Sequence, residues 1–177
     1  MNKKLLWTLL ALCVNSLFAQ SRWNNYETAD YSIQYPSDWE LMTDGDFLCR
    51  IPEFTILGPD NHPFMMVQLF YYERDVEVES WDDIDLSIFC RNYEAKMKSC
   101  LRKFSVVEYA LRRSAAGTYI RLTYSYEQIE KMKAVNLFFL ENDNCGYYSL
   151  QFTTRQKDFE KCKKIGEEIL HTFYIEK

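Results

Sequence analysis

The chain has 177 residues, 47% of them hydrophobic and 27% charged, with five Gly and four Pro. That composition excludes a disordered, collagen-like or proline-rich linker protein, and the length suits one domain with a substantial core. The net charge of −5 and the absence of a basic stripe argue against nucleic acid as the main partner.

Residues 1–19 read as a secretory signal peptide. Lys3 and Lys4 form a positive start, and Leu5 to Val14 form an apolar run of signal-peptide length. Asn15 and Ser16 end that run well short of the ~20 apolar residues a membrane span needs. Ala19 suits the residue before a cleavage point, although Leu17 is larger than that site prefers. Lipidation at Cys13 is disfavoured by Leu12 before it. Retention as an uncleaved anchor is the remaining alternative. Cleavage removes two Lys from the 21 basic residues and none of the 26 acids, so the remaining domain, 20–177, carries −7. The expected location is periplasmic or secreted, with no membrane span left after cleavage.

Tyr31–Tyr35 alternates in polarity and stops at Pro36, which predicts a strand. Turns follow at Ser37–Trp39 and Asp44–Asp46. Phe47–Leu57 reads as a strand in which Pro52 marks a bulge or an edge position. Gly58–Pro63 is a hairpin loop, and Phe64–Glu73 is the returning strand. Ser80 and Asp83 have capping-box spacing ahead of a helix. Its apolar stripe is Leu86, Phe89, Cys90, Tyr93, Met97 and Cys100. The Phe89–Tyr93–Met97 part of the stripe should lie on a sheet.

Strands are predicted at Phe104–Arg112, Thr118–Tyr126, Met132–Leu140 and Tyr147–Thr153, joined by turns at Ser114–Gly117 and Glu141–Gly146. Met132–Leu140 is apolar on both faces, the pattern of a central strand covered on both sides. A second helix runs from about Gln156 to Leu170, with Phe159, Cys162, Ile165, Gly166 and Ile169 on one face, and Thr172–Ile175 is a final short strand. Hairpin-length turns imply antiparallel pairing, so the class is α+β with helices covering an antiparallel sheet.

Chemistry-bearing patterns are sparse. Beyond the leader, Cys49, Cys90, Cys100, Cys145 and Cys162 are an odd number with no CxxC, and their pairing is open. Cys90 and Cys100 lie ten residues apart on one predicted helix, about 15 Å, too far for a disulfide. His62 reads as a loop residue, and His171 as a helix-end residue facing the negative end of the dipole. Glu77, Glu79, Asp82, Asp83 and Asp85 fit helix capping better than a calcium site. Glu141, Asp143 and Asn144 fit a hairpin. There is no phosphate-cradling glycine loop and no G-x-S-x-G. No catalytic residue, metal ligand or cofactor is expected. Tyr71–Tyr72, Tyr147–Tyr148 and the set Tyr119, Tyr124 and Tyr126 are candidates for a binding face, with core packing the commoner role.

The segment Tyr31-Ser-Ile-Gln-Tyr-Pro-Ser-Asp-Trp39 resembles the opening of PsbP/DcrB-like domains, and the element order agrees over roughly residues 26–176. The resemblance implies an α/β/α sandwich around a central antiparallel sheet and a non-enzymatic role. Members of the family assist photosystem assembly, bind a small GTPase, act in the periplasm or chaperone secreted effectors, and these roles share no active site. The expected function is therefore an exported, non-catalytic module that binds a protein partner or assembles an envelope complex. The alternative is a carrier of a small apolar ligand or lipid, which requires a pocket of a few hundred Å³ lined by Tyr, Phe and Met. An enzyme would require His62 or His171 beside a carboxylate or Cys in a cleft.

Overall fold

A computed structural model describes residues 23–43, 52–59, 65–73, 80–114, 117–141 and 146–176. The elements run β1 (Trp23–Glu27), β2 (Tyr31–Pro36), β3 (Glu40–Met42), β4 (Phe54–Leu57), β5 (Met66–Glu73) and α1 (Leu86–Cys100). They continue as β6 (Arg102–Ser114), β7 (Gly117–Glu127), β8 (Lys131–Leu140), β9 (Gly146–Arg155), α2 (Phe159–His171) and β10 (Tyr174–Ile175). The signal-peptide segment, Cys49, Cys145, His62, Glu77, Glu79, Asp143 and Asn144 lie outside the described residues.

Seven strands form one sheet in the order β3-β4-β5-β9-β8-β7-β6, antiparallel at each pairing. As the double-sided hydrophobicity of Met132–Leu140 requires, β8 lies inside this sheet. Its Val135, Leu137 and Phe139 join one core, and Met132, Ala134 and Phe138 the other. α2 packs on the first face through Phe159, Cys162, Ile169 and Leu170. Gly166 lets that helix come close, since a Cβ there would meet the Phe152 ring at 2.6 Å. α1 covers the second face. The class is thus α+β, with a helix on each side of an antiparallel sheet.

Three features depart from the sequence reading. β1, β2 and β10 form a separate three-stranded antiparallel sheet beside α2, and neither β1 nor β3 has a clear alternating signal. The strand expected over Phe47–Leu57 begins at Phe54, with residues 47–51 outside the described part. The Ser80 cap belongs to a separate 3-10 turn, Trp81–Asp83, whose Asp82 N–H donates to Ser80 Oγ. The long helix starts later. Asp85 is its N-cap, because its carboxylate accepts from the Ser87 and Ile88 N–H groups at 2.9 and 3.2 Å. The family-like opening behaves as expected: Pro36 ends β2, its carbonyl accepts from the Trp39 N–H, and Trp39 is buried in the core.

Candidate functional site

A groove of about 740 Å³ lies between α1 and the face of β5 and β9 beneath it. Two periodicities build it. On α1, Phe89, Asn92, Tyr93, Lys96, Met97 and Cys100 follow alternating steps of three and one, so one helical stripe lines the wall. On the strands, every second residue faces the same way, which places Gln68, Phe70 and Tyr72 beside Gln151, Ser149 and Tyr147. The floor is therefore three cross-strand rungs: Gln68–Gln151, Phe70–Ser149 and Tyr72–Tyr147.

Polarity is graded along these rungs. At one end the Tyr72 and Tyr147 rings stack at 5.1 Å, and Phe70 stacks on Tyr72 at 6.3 Å. Trp81 meets Phe89 and Tyr147 edge-on at 5.5 and 6.2 Å and so buttresses the aromatic end. At the other end lie amides and hydroxyls that are largely bonded to protein. The Tyr124 hydroxyl donates to Gln151 Oε1 at 2.6 Å, and Gln151 Nε2 donates to Thr153 Oγ1 at 2.6 Å. Asn136 and Ser149 bond reciprocally at 2.9 and 3.1 Å, and Gln68 Nε2 donates to Thr55 Oγ1 at 3.2 Å. This end is a fixed hydrogen-bonding surface, because each amide is oriented by a neighbour.

The groove offers surface and orientation, with little on its walls for acid–base work. Burial pushes the Tyr93 and Tyr124 phenols well above their ordinary range, so both stay neutral. Tyr126, beside them, is pushed up to about 12 by burial. Cys100 lies at the groove as an exposed free thiol. Cys90, on the other side of the helix, is buried, and burial raises its thiol to about 11, which keeps it protonated. Cys162 is a buried free thiol in the core beneath α2.

The other candidates are placed elsewhere. His171 ends α2, on the opposite side of the main sheet and exposed. Among the acids, Asp85 caps α1, Asp82 pairs with Arg113 at 3.3 Å, and Glu141 accepts from the Tyr71 hydroxyl at 2.7 Å. Among the described residues no group of three His, Cys, Asp or Glu side chains could hold a metal ion. The tyrosine pairs are split by the pleat. Tyr72 and Tyr147 line the groove, whereas Tyr71 and Tyr148 pack together on the other face at 5.5 Å. Tyr119, Tyr124 and Tyr126 are core residues. Phe89 and Tyr93 do meet the sheet, through Phe138 at 5.3 and 5.2 Å, but Cys100 is exposed where the helical pattern reads it as buried. The groove lining from Gln68, Phe70, Lys96 and Gln151 is absent from the sequence reading, because it takes the strand register and the seat of α1 over it to bring these residues together.

No protein-family model matches the chain, and no curated protein matches it. Solved structures do. The cyanobacterial PsbP (CyanoP) of Synechocystis superposes with a TM-score of 0.66 at 10% identity, covering 88% of this chain and 94% of that one. LpqN of Mycobacterium tuberculosis, involved in cell envelope biogenesis, gives 0.54 at 12% identity, covering 88% and 91%. The Ran-binding protein Mog1p of Saccharomyces cerevisiae gives 0.54 at 8% identity, covering 88% and 96%. Among the described residues no helix is long and apolar enough to cross a membrane.

Proposed function

From the PsbP-like fold that this chain adopts, and from the groove it carries, we propose a non-catalytic binding module whose site is the space between α1 and the β5/β9 floor. The observation that supports this reading is the 740 Å³ volume walled by Phe70, Tyr72, Phe89, Tyr93, Met97 and Tyr147. It lies within the ~300–1,000 Å³ range of small-molecule sites and combines apolar walls with a few oriented polar groups. It favours the carrier alternative over a purely protein-docking role. The chain takes a small amphipathic ligand whose apolar part lies along the rungs of the floor. Export through residues 1–19 is part of this proposal, and the involvement of LpqN in cell envelope biogenesis agrees with an envelope setting.

The test is fluorescence titration of the folded protein with phenylnaphthylamine, a neutral dye that brightens in apolar sites. Saturable binding is expected in the native chain. Asn92→Trp, which adds an indole to the groove-lining stripe, should abolish it without lowering the melting temperature. Absence of saturable binding, or binding that Asn92→Trp leaves untouched, overturns the reading.

A protein-docking reading keeps one specific support. β6 is an edge strand of 13 residues, and Tyr109 on it and Ile88 on α1 are exposed at 45% and 47%. Its two register shifts and its charges, Arg102, Lys103, Glu108, Arg112 and Arg113, are devices that discourage edge-to-edge pairing. They weaken that reading relative to the groove.

A further inference from the structure

The groove and the chain differ in charge. The chain carries 26 acids and a net charge of −5, yet no Asp or Glu is among the fifteen described residues that line the groove. Among the described residues that line it, the one charged side chain is Lys96, whose ammonium stands 5.8 Å from the centre of the Tyr72 ring. Among the described residues Lys96 makes no ion pair. Lys98, on the opposite face of α1, is tied to Glu94 at 3.0 Å, and Lys103 is tied to Glu127 at 2.7 Å. An ammonium over a tyrosine face keeps its charge and part of its hydration, so it remains available to a ligand anion.

The geometry of the floor adds a length and a direction. Gln68 to Tyr72 is four residue steps along β5, about 14 Å at ~3.4 Å per step. An elongated apolar body can lie along Phe70, Tyr72 and Tyr147, with Met97 and Leu101 of the opposite wall beside it. Lys96 stands at the Tyr72 rung and not at the amide end, so the charged group of such a ligand belongs at the aromatic end. A cationic head would face an ammonium with no carboxylate among the described groove-lining residues to offset it.

We infer that the groove selects amphipathic organic anions, with the apolar body between α1 and the three rungs and the anionic group at Lys96. This rests on the groove being the binding site, so the experiment separates the two claims. Two dyes with the same N-phenylnaphthylamine skeleton are compared on the full chain: anilinonaphthalene sulfonate, which is an anion, and phenylnaphthylamine, which is neutral. The native protein should bind the sulfonate more tightly. Lys96→Gln should loosen the sulfonate roughly two- to five-fold, the scale of one solvent-exposed ion pair, and affect the neutral dye less than the sulfonate. Raising the salt concentration should loosen the sulfonate on the native chain and have little effect on Lys96→Gln. Lys96→Glu should loosen it further.

Equal or tighter binding of the neutral dye, with Lys96→Gln affecting neither, overturns charge selection while the groove reading stands. Failure of both dyes to bind, or indifference of both to Asn92→Trp, overturns the groove reading and this inference with it. Lys96 is exposed on the helix surface, and near-ultraviolet circular dichroism of each variant confirms that losses come from the site and not from unfolding.

Discussion

Gly166→Ala sets two effects of opposite sign against each other at one position. Gly166 lies inside α2, where alanine is favoured over glycine by about 1 kcal/mol of helix propensity. Against that, a Cβ at this position would sit 2.6 Å from three carbons of the Phe152 ring. The ring has no room to withdraw, since Phe152 is fully buried and packs on Phe159 at 6.3 Å. Overpacking of a filled core costs about 1–3 kcal/mol. The clash should win, leaving the variant about 1 kcal/mol less stable than the native chain once the propensity gain is deducted. Urea unfolding read by fluorescence measures this as a lower midpoint at unchanged slope. The same substitution in a Phe152→Leu background should reverse sign, because the clash is gone and the propensity gain remains. A more stable Gly166→Ala in the native background, or the same loss in both backgrounds, would refute the account of how α2 seats on the sheet.

Two further outcomes follow from the hydrogen-bonded groups. Tyr124→Phe removes the donor to Gln151 Oε1, and it should cost only about 1 kcal/mol in urea unfolding, because Gln151 lines the groove and water can replace the hydroxyl; a loss of about 3 kcal/mol or more would mean that Gln151 is sealed from solvent. Glu53, whose carboxyl is raised by burial and accepts from Tyr31, binds its proton more readily folded than unfolded, so its charged form destabilises the fold above its folded pKa and that penalty is relieved as the pH drops towards the ordinary carboxylate range. Glu53→Gln should therefore raise the melting temperature at pH ~7 and change it little near pH ~4, and a lower melting temperature at neutral pH would contradict the sign.

Elements carrying a full periodic signal were legible in the sequence, and elements defined by their partners were not. Met132–Leu140 needs apolar residues on both faces because it lies between β7 and β9 with a core on each side, and that demand is written in its composition. β1 makes no such demand. Its Asn24 and Asn25 are exposed, and it is a strand because its backbone pairs with β2 from Trp23↔Pro36 to Glu27↔Ser32. The helix start shifted for a related reason. Ser80 and Asp85 both have capping side chains, and spacing alone does not say which of them opens the α-helix and which a single 3-10 turn.

The groove was hidden for a different physical reason. A stripe at 89, 92–93, 96–97 and 100 has the same period whether it faces a filled core or an open space, so the helix pattern does not distinguish packing from lining. The content of the stripe does carry a trace. Asn92 and Lys96 sit among Phe89, Tyr93 and Met97, and a stripe packed flush on a sheet has no reason to hold an amide and an ammonium. The floor repeats this mixture, since Gln68, Ser149 and Gln151 occupy positions whose neighbours on the opposite face, Val67, Leu69, Leu150 and Phe152, are wholly apolar. Polar residues facing each other across α1 and the sheet are costly in a dry interface and unexceptional in a wet one. The polar content of both walls therefore follows from an opening that water or a ligand fills, and the same opening explains why α1 has a buried Cys90 but an exposed Cys100 one stripe along.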